Sequence, residues 1–182
     1  MSQTGELIVF YGCMFSGKTT ALIEYISHRQ LKPNELIVLK PEIDFRAGKD
    51  KIATHDGKVH ECIAYSAGME LQELITPFTK LIAIDEAQFF DKVILSELRR
   101  CLSKNIDIVV SGLDKDYRAR PFGIIPSLIE MAHQKHQLKA NCQCCGAPAE
   151  YSYRITQNHV LVLIGAENHY EPRCEACFQL NQ

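Results

Sequence analysis

The sequence predicts an α/β fold, a parallel sheet flanked by helices with a small cysteine-rich unit following it. Three observations carry this reading: short apolar runs without polar alternation, helix-patterned stretches between them, and a change of texture after about residue 140, where cysteines cluster. Strands buried on both faces read as continuous apolar runs, as in a parallel sheet. Their alternation with helices points to a layered α/β domain with right-handed crossovers.

Residues 6–11 form an apolar, β-prone run that ends in glycine, and residues 20–29 then carry Leu22, Ile23 and Ile26 at helical spacing. That order is strand, turn, helix. Further buried strands are expected at residues 36–39, 81–84 and 106–110. Helices are expected at residues 69–75 and 91–102, the second with Val93, Ile94, Leu98 and Leu102 on one face. His133 and His136 read as a solvated helix face. Residues 150–155 and 159–164 are β-prone runs separated by a polar Thr-Gln-Asn segment, the pattern of a hairpin or ribbon. The expected division is a nucleotide-binding domain over 1–140 and a small unit over 141–182.

The chain has 182 residues, 46% of them hydrophobic and 23% charged. At this length roughly 70% of the unfolded surface can be buried, so the core needs no disulfide framework. The eight cysteines therefore need another explanation. A formal net charge of -2 provides no overall positive field for nucleic acid or anionic lipid. Neither a basic leader nor an apolar run of roughly 18 residues is evident. The chain reads as cytoplasmic, a compartment in which thiols stay reduced and CxxC pairs suggest metal or redox chemistry.

Residues 12–19, GCMFSGKT, satisfy GxxxxGK[ST] between an expected strand and an expected helix. Gly12 and Gly17 let the backbone turn its amides toward phosphates, and the helix dipole favours the anion. Lys18 would reach the outer phosphates of a nucleoside triphosphate and Thr19 would ligate magnesium.

At residues 81–90, LIAIDEAQFF places two acids at the end of an apolar strand, where open parallel sheets bind their ligands. Asp85 is the expected magnesium partner beside Thr19, and Glu86 the candidate general base that orients an attacking hydroxyl or water and accepts its proton. A plainer alternative is that both acids open the next helix, where negative charge suits the N-terminal dipole. The order of these motifs does not identify the nucleophile.

Cys142 and Cys145 form one CxxC and Cys174 and Cys177 another. Two such knuckles flanking a hairpin are a signal for zinc, and four thiolates leave no open position, so the metal is expected to be structural. The spacing rule leaves Cys144 as the spare thiol. Cys62 and Cys101 read as core cysteines, while Cys13, inside the phosphate loop, is either a small packing residue or an oxidation-sensitive thiol.

The strings GCMFSGKT, DEAQFF, SGLDKDYRARPFG, IGAENHY and CEAC together resemble the type II, zinc-containing cytosolic thymidine kinases, over about residues 6–178. The resemblance implies a RecA-like P-loop sheet with a C-terminal zinc-binding lasso that closes the nucleoside site. It implies transfer of the ATP γ-phosphate to the 5′-hydroxyl of deoxythymidine with magnesium, Glu86 accepting the proton and Lys18 and Arg46 assisting. ATP would lie along Gly12, Cys13, Met14, Phe15, Ser16, Gly17, Lys18 and Thr19, with Asp85, Glu86, Ala87 and Gln88 completing that side. The family's DxR element is matched by Asp44 and Arg46. Residues matching its thymidine contacts are Met14, Asp44, Phe89, Leu113, Tyr117, Phe122, Ser152, Leu163 and Tyr170. A homotetramer and feedback by thymidine triphosphate are also implied. The chain departs from the pattern at Ala47, where an aromatic is usual, and at Cys13, where proline is frequent. Because zinc would anchor both ends of the ribbon, its removal is expected to loosen the nucleoside pocket before the ATP site.

Two other classes compete. DEAQ is also the strand-end motif of helicase-type ATPases, but one domain and a near-neutral charge supply neither a second motor lobe nor a backbone-binding track. A non-catalytic nucleotide-binding adaptor would have no need of Glu86.

Overall fold

The structure, a computed structural model, describes residues 4–54, 56–156 and 169–179. In chain order its strands are β1 (Leu7–Gly12), β2 (Leu36–Pro41), β3 (Lys51–Ala53), β4 (Val59–Glu61), β5 (Ile63–Tyr65), β6 (Leu81–Ile84), β7 (Asp107–Gly112), β8 (Gln134–Leu138), β9 (Ala140–Asn141), β10 (Pro148–Ala149), β11 (Tyr151–Arg154) and β12 (Tyr170–Arg173). The helices are α1 (Lys18–His28), α2 (Leu71–Leu74), α3 (Ile94–Ser103), α4 (Ile125–Met131) and α5 (Glu175–Gln179). Six strands pair in parallel in the order β5-β2-β6-β7-β1-β8. Around them lie three antiparallel pairs, β3 with β4, β9 with β10, and β11 with β12.

Strand parity divides the core into two layers, because successive side chains leave opposite faces of a sheet. Leu7, Val9, Leu39, Ile82, Ile84, Ile108 and Val110 face α3 and α4, meeting Ile94, Leu98 and Cys101 from one and Ile125 and Leu128 from the other. Ile8, Val38, Leu81, Ala83 and Val109 face α1, where Leu22, Ile23 and Ile26 repeat at helical spacing. The expected continuous apolar runs are thus buried on both sides.

Several expectations change. α2 is a single turn where residues 69–75 predict a longer helix. α3 begins at Ile94, so Val93 precedes its first turn and is 69% exposed, while Ile94, Leu98 and Cys101 carry the buried face with Glu97. His133 and His136 share no helix. His136 lies on edge strand β8 and stacks on Phe10 at 5.1 Å between ring centroids, and the His133 ring accepts the Leu7 amide at 2.9 Å. β8 is polar except for its last residue, Leu138, and its pairing with β1 specifies it rather than an apolar pattern of its own. β11 pairs with β12, and the run expected at residues 159–164 lies outside the described residues.

Candidate active site

The strand order brings the phosphate loop and the acidic strand end together. β1 and β6 flank β7, so the loop after β1 and Asp85 after β6 sit on either side of the β7 end, at the same edge of the sheet. Neighbouring strands lie about 4.8 Å apart, so the two motifs are separated by roughly two strand spacings that side chains can bridge. Thr19 Oγ1 donates to Asp85 at 3.1 Å, and Ser111 near the end of β7 donates to the same carboxylate. Ser111 lies within the SGLD string, but its place against Asp85 depends on β7 standing between β1 and β6.

Gly17 precedes α1 with φ 81, a left-handed conformation that glycine adopts without steric cost, and no side chain caps the helix. Its first-turn amides are left for a ligand. Lys18 is buried, and its Nζ donates to Cys13 O at 2.6 Å. Burial lowers its pKa from the ordinary value, against the opposing pull of Glu86, Cys13, Asp85 and Asp114. Phe15 is another loop residue at positive φ, 65°.

Glu86 has φ 51 and ψ 41 and leads into a 3-10 turn at Ala87–Phe89, well before α3. The acids therefore do not open α3; Glu86 is the N-cap position of the 3-10 turn, and its side chain makes no capping hydrogen bond there. A left-handed glutamate costs about 1–3 kcal/mol, and such strain concentrates where a side chain must be aimed. The Glu86 carboxylate accepts from Arg46 and from Gln88. Arg46 also forms a fork with Asp44, at 2.7 Å through Nε and 3.1 Å through Nη2. Burial opposes the Arg46 charge, but Glu86 and Asp44 outweigh it and raise the group above its ordinary range. Burial likewise opposes ionisation of Asp44, yet hydrogen bonds from Arg46 hold its carboxyl below the usual carboxylate value. Asp85 behaves in the opposite way: burial, then the Glu86 charge, push it up to about 6.

Gln88 links this acidic centre to the next loop, its Oε1 accepting the Leu113 amide at 3.0 Å. Phe89 meets Phe122 edge-to-face at 5.6 Å between centroids. Met14 N donates to Ser152 Oγ at 2.9 Å, joining the phosphate loop to β11. Tyr117 and Tyr170 both lie against Arg154, a residue the motif search passes over. Its signal is present in the period-2 pattern of YSYR, where Ser152 and Arg154 are the buried positions of β11. Another residue missed by motif reading is Lys40, fully buried, whose Nζ donates to Gly48 O and Lys51 O and so holds the loop that carries Asp44 and Arg46. Of the sequence-derived contacts, Leu163 lies outside the described residues.

The sulfurs of Cys142, Cys145, Cys174 and Cys177 all lie within 4.8 Å of one another. Cys145 stands 3.6 Å from both Cys174 and Cys177. Zinc-sulfur bonds of about 2.3 Å in a tetrahedron require sulfur-sulfur edges of about 3.8 Å, so the cluster has the size and donor chemistry of a four-cysteine zinc site. Cys144 is exposed and outside it. Cys13 packs with Cys142 and Ala149, and its thiol donates to Ala149 O at 3.3 Å. Burial raises this thiol's pKa, which favours its protonated, unreactive form. The phosphate loop therefore leans on the cysteine unit at both Cys13 and Met14.

No helix among the described residues is long and apolar enough to cross a membrane. Among solved structures the chain is similar to a Pif1 helicase from Candida albicans, at 16% identity over 75% of this chain and 36% of that one, with a TM-score of 0.45. It spans about a third of that protein's length. The model of the thymidine kinase family matches residues 5–178, nearly the whole chain. With a phosphate loop, an acidic strand end and a four-cysteine cluster in one arrangement, this chain belongs to the thymidine kinase family.

Proposed function

We propose that the chain transfers the γ-phosphate of ATP to the 5′-hydroxyl of deoxythymidine, giving thymidine monophosphate and ADP. The observation that carries this reading is the convergence at the phosphate loop of two neighbouring hydrogen-bonded sets, Thr19 with Asp85 and Asp44 with Arg46 and Glu86. Amides of residues 12–19 and Lys18 would hold the phosphates. Thr19 and Asp85 would hold magnesium, which neutralises charge on the transferring group. Glu86 accepts the 5′-hydroxyl proton as that oxygen bonds to the γ-phosphorus and the bond to the β-bridging oxygen breaks. Arg46, anchored by Asp44, can turn from Glu86 toward the transferring phosphoryl group and free the carboxylate to act as base.

Met14, Phe89, Leu113, Tyr117, Phe122 and Tyr170 offer the aliphatic and aromatic walls that suit a flat pyrimidine. Residues 1–140 form the kinase domain in this reading, and 141–182 a zinc-bound unit whose four thiolates fasten the ribbon beside the nucleoside. The family's homotetramer, its feedback by thymidine triphosphate and a cytoplasmic location belong to the same proposal.

Purified protein supplied with ATP, magnesium and each nucleoside in turn tests it. Equal amounts of ADP and thymidine monophosphate are expected. ADP formed only with added polynucleotide would replace the kinase reading with an ATPase, and ATP binding without turnover would replace it with an adaptor. Glu86→Gln is expected to keep ATP binding and lose about 10²–10⁴-fold in turnover. Near-normal turnover in that variant would remove Glu86 from the base role.

A further inference from the structure

Arg154 is 8% exposed, and its guanidinium carbon stands 3.7 Å from the ring centroid of Tyr117 and 4.9 Å from that of Tyr170. The two rings come from different parts of the chain. Tyr117 lies in the loop between β7 and α4, and Tyr170 opens β12, directly across the ladder from Arg154. Arg154 Nη2 also donates to the Tyr170 hydroxyl. Two positions earlier on the same face of β11, Ser152 accepts the Met14 amide of the phosphate loop.

Burying a guanidinium costs several kcal/mol unless its partners compensate, and an aliphatic side chain would fill the same space without that cost. What an aliphatic chain cannot do is fix the planes of two rings. A guanidinium is flat, stacks on aromatic faces and presents a rigid fork of donors. Here it stacks on one ring, grips the hydroxyl of the other and ties the loop after β7 to the ribbon.

Resting on the proposed kinase reading, in which Tyr117 and Tyr170 face the base, we infer that Arg154 is a positioning residue for nucleoside recognition. It sets the separation and tilt of the two tyrosines, and thereby the affinity for a flat pyrimidine, without touching the reacting atoms. Lysine at this position keeps the charge but has neither the plane nor the fork. Its loss of function would therefore be confined to the nucleoside side of the reaction.

The test is steady-state kinetics on Arg154→Lys, Tyr170→Phe and the pair together, varying deoxythymidine and ATP separately. Arg154→Lys is expected to raise the nucleoside KM about tenfold, with kcat and the KM for ATP within about twofold of the unsubstituted chain. Tyr170→Phe keeps the ring and loses only the hydroxyl that Arg154 holds, so a rise of about threefold in the same constant is expected. The double variant is expected to be no worse than Arg154→Lys alone, because Arg154→Lys already breaks the one contact that Tyr170→Phe removes. An unchanged nucleoside KM in Arg154→Lys, a parallel fall in kcat, or additive effects in the double variant overturns the inference. Should Arg154→Lys not fold, Tyr170→Phe decides: an unchanged nucleoside KM overturns the inference and a selective rise supports it. An unsubstituted chain that makes no nucleoside monophosphate would instead overturn the kinase reading itself.

Discussion

Asp85→Asn separates the cost of building this site from its use. The carboxyl is 3% exposed, and burial followed by the neighbouring Glu86 charge moves it from an ordinary 3.8 up to about 6, against hydrogen bonds from Ser111 and Thr19 and the charge of Arg46. An acid whose folded pKa lies above its unfolded one destabilises the fold once it ionises. The penalty from Asp85 is absent below about pH 4, grows as pH rises, and is complete above about pH 6. A displacement of this size corresponds to roughly 3 kcal/mol. Asparagine is isosteric, accepts the same hydroxyl donors through its carbonyl and carries no charge. The variant is therefore expected to gain about 1–3 kcal/mol of unfolding free energy near pH 8 and roughly half as much near pH 5. Urea unfolding followed by circular dichroism at both pH values, without nucleotide or magnesium, measures the difference. Turnover should fall by about a hundredfold or more, because the carboxylate proposed to hold magnesium with Thr19 is gone. Destabilisation at both pH values, or an equal gain at both, would refute the reasoning.

Other predictions draw on single contacts. Chelation of a bound metal is expected to raise the KM for ATP as well as for the nucleoside, because Cys13 and Met14 bond to the ribbon, and kinetics with and without a chelator measures both. This revises the expectation that the nucleoside pocket loosens first. Lys40→Met leaves two carbonyls without their ammonium donor and should lower unfolding free energy by about 2–4 kcal/mol, read from the urea midpoint. In Gly123→Ala a Cβ would stand 1.9 Å from Gln88 O at a φ of +55, so a thermal melt should show a loss of about 2 kcal/mol or more.

Much of the site is legible without coordinates because its chemistry is local. The phosphate loop needs particular residues at particular spacings along one turn, and two CxxC pairs write a tetrahedral thiolate set in the same way. The buried strands are legible too, since a strand covered on both faces is apolar along most of its length, with polar groups such as Lys40 and Ser111 only where partners meet them. β8 is not legible, because a polar edge strand is defined by the partner it pairs with, and β1 lies more than a hundred residues away in sequence.

By itself, then, the sequence determined the elements whose signals are short-range: the loop, the acids, the cysteine pairs, the apolar strands and the family they resemble. Tertiary structure alone decided which groups meet. Strand order placed Ser111 and Thr19 on Asp85, a left-handed Glu86 met Arg46, and buried Lys40 held the loop behind it. Pairing of β11 with β12 set Arg154 against two tyrosines. Such contacts join residues from 11 to 66 positions apart, and only the packing of the layers brings them together.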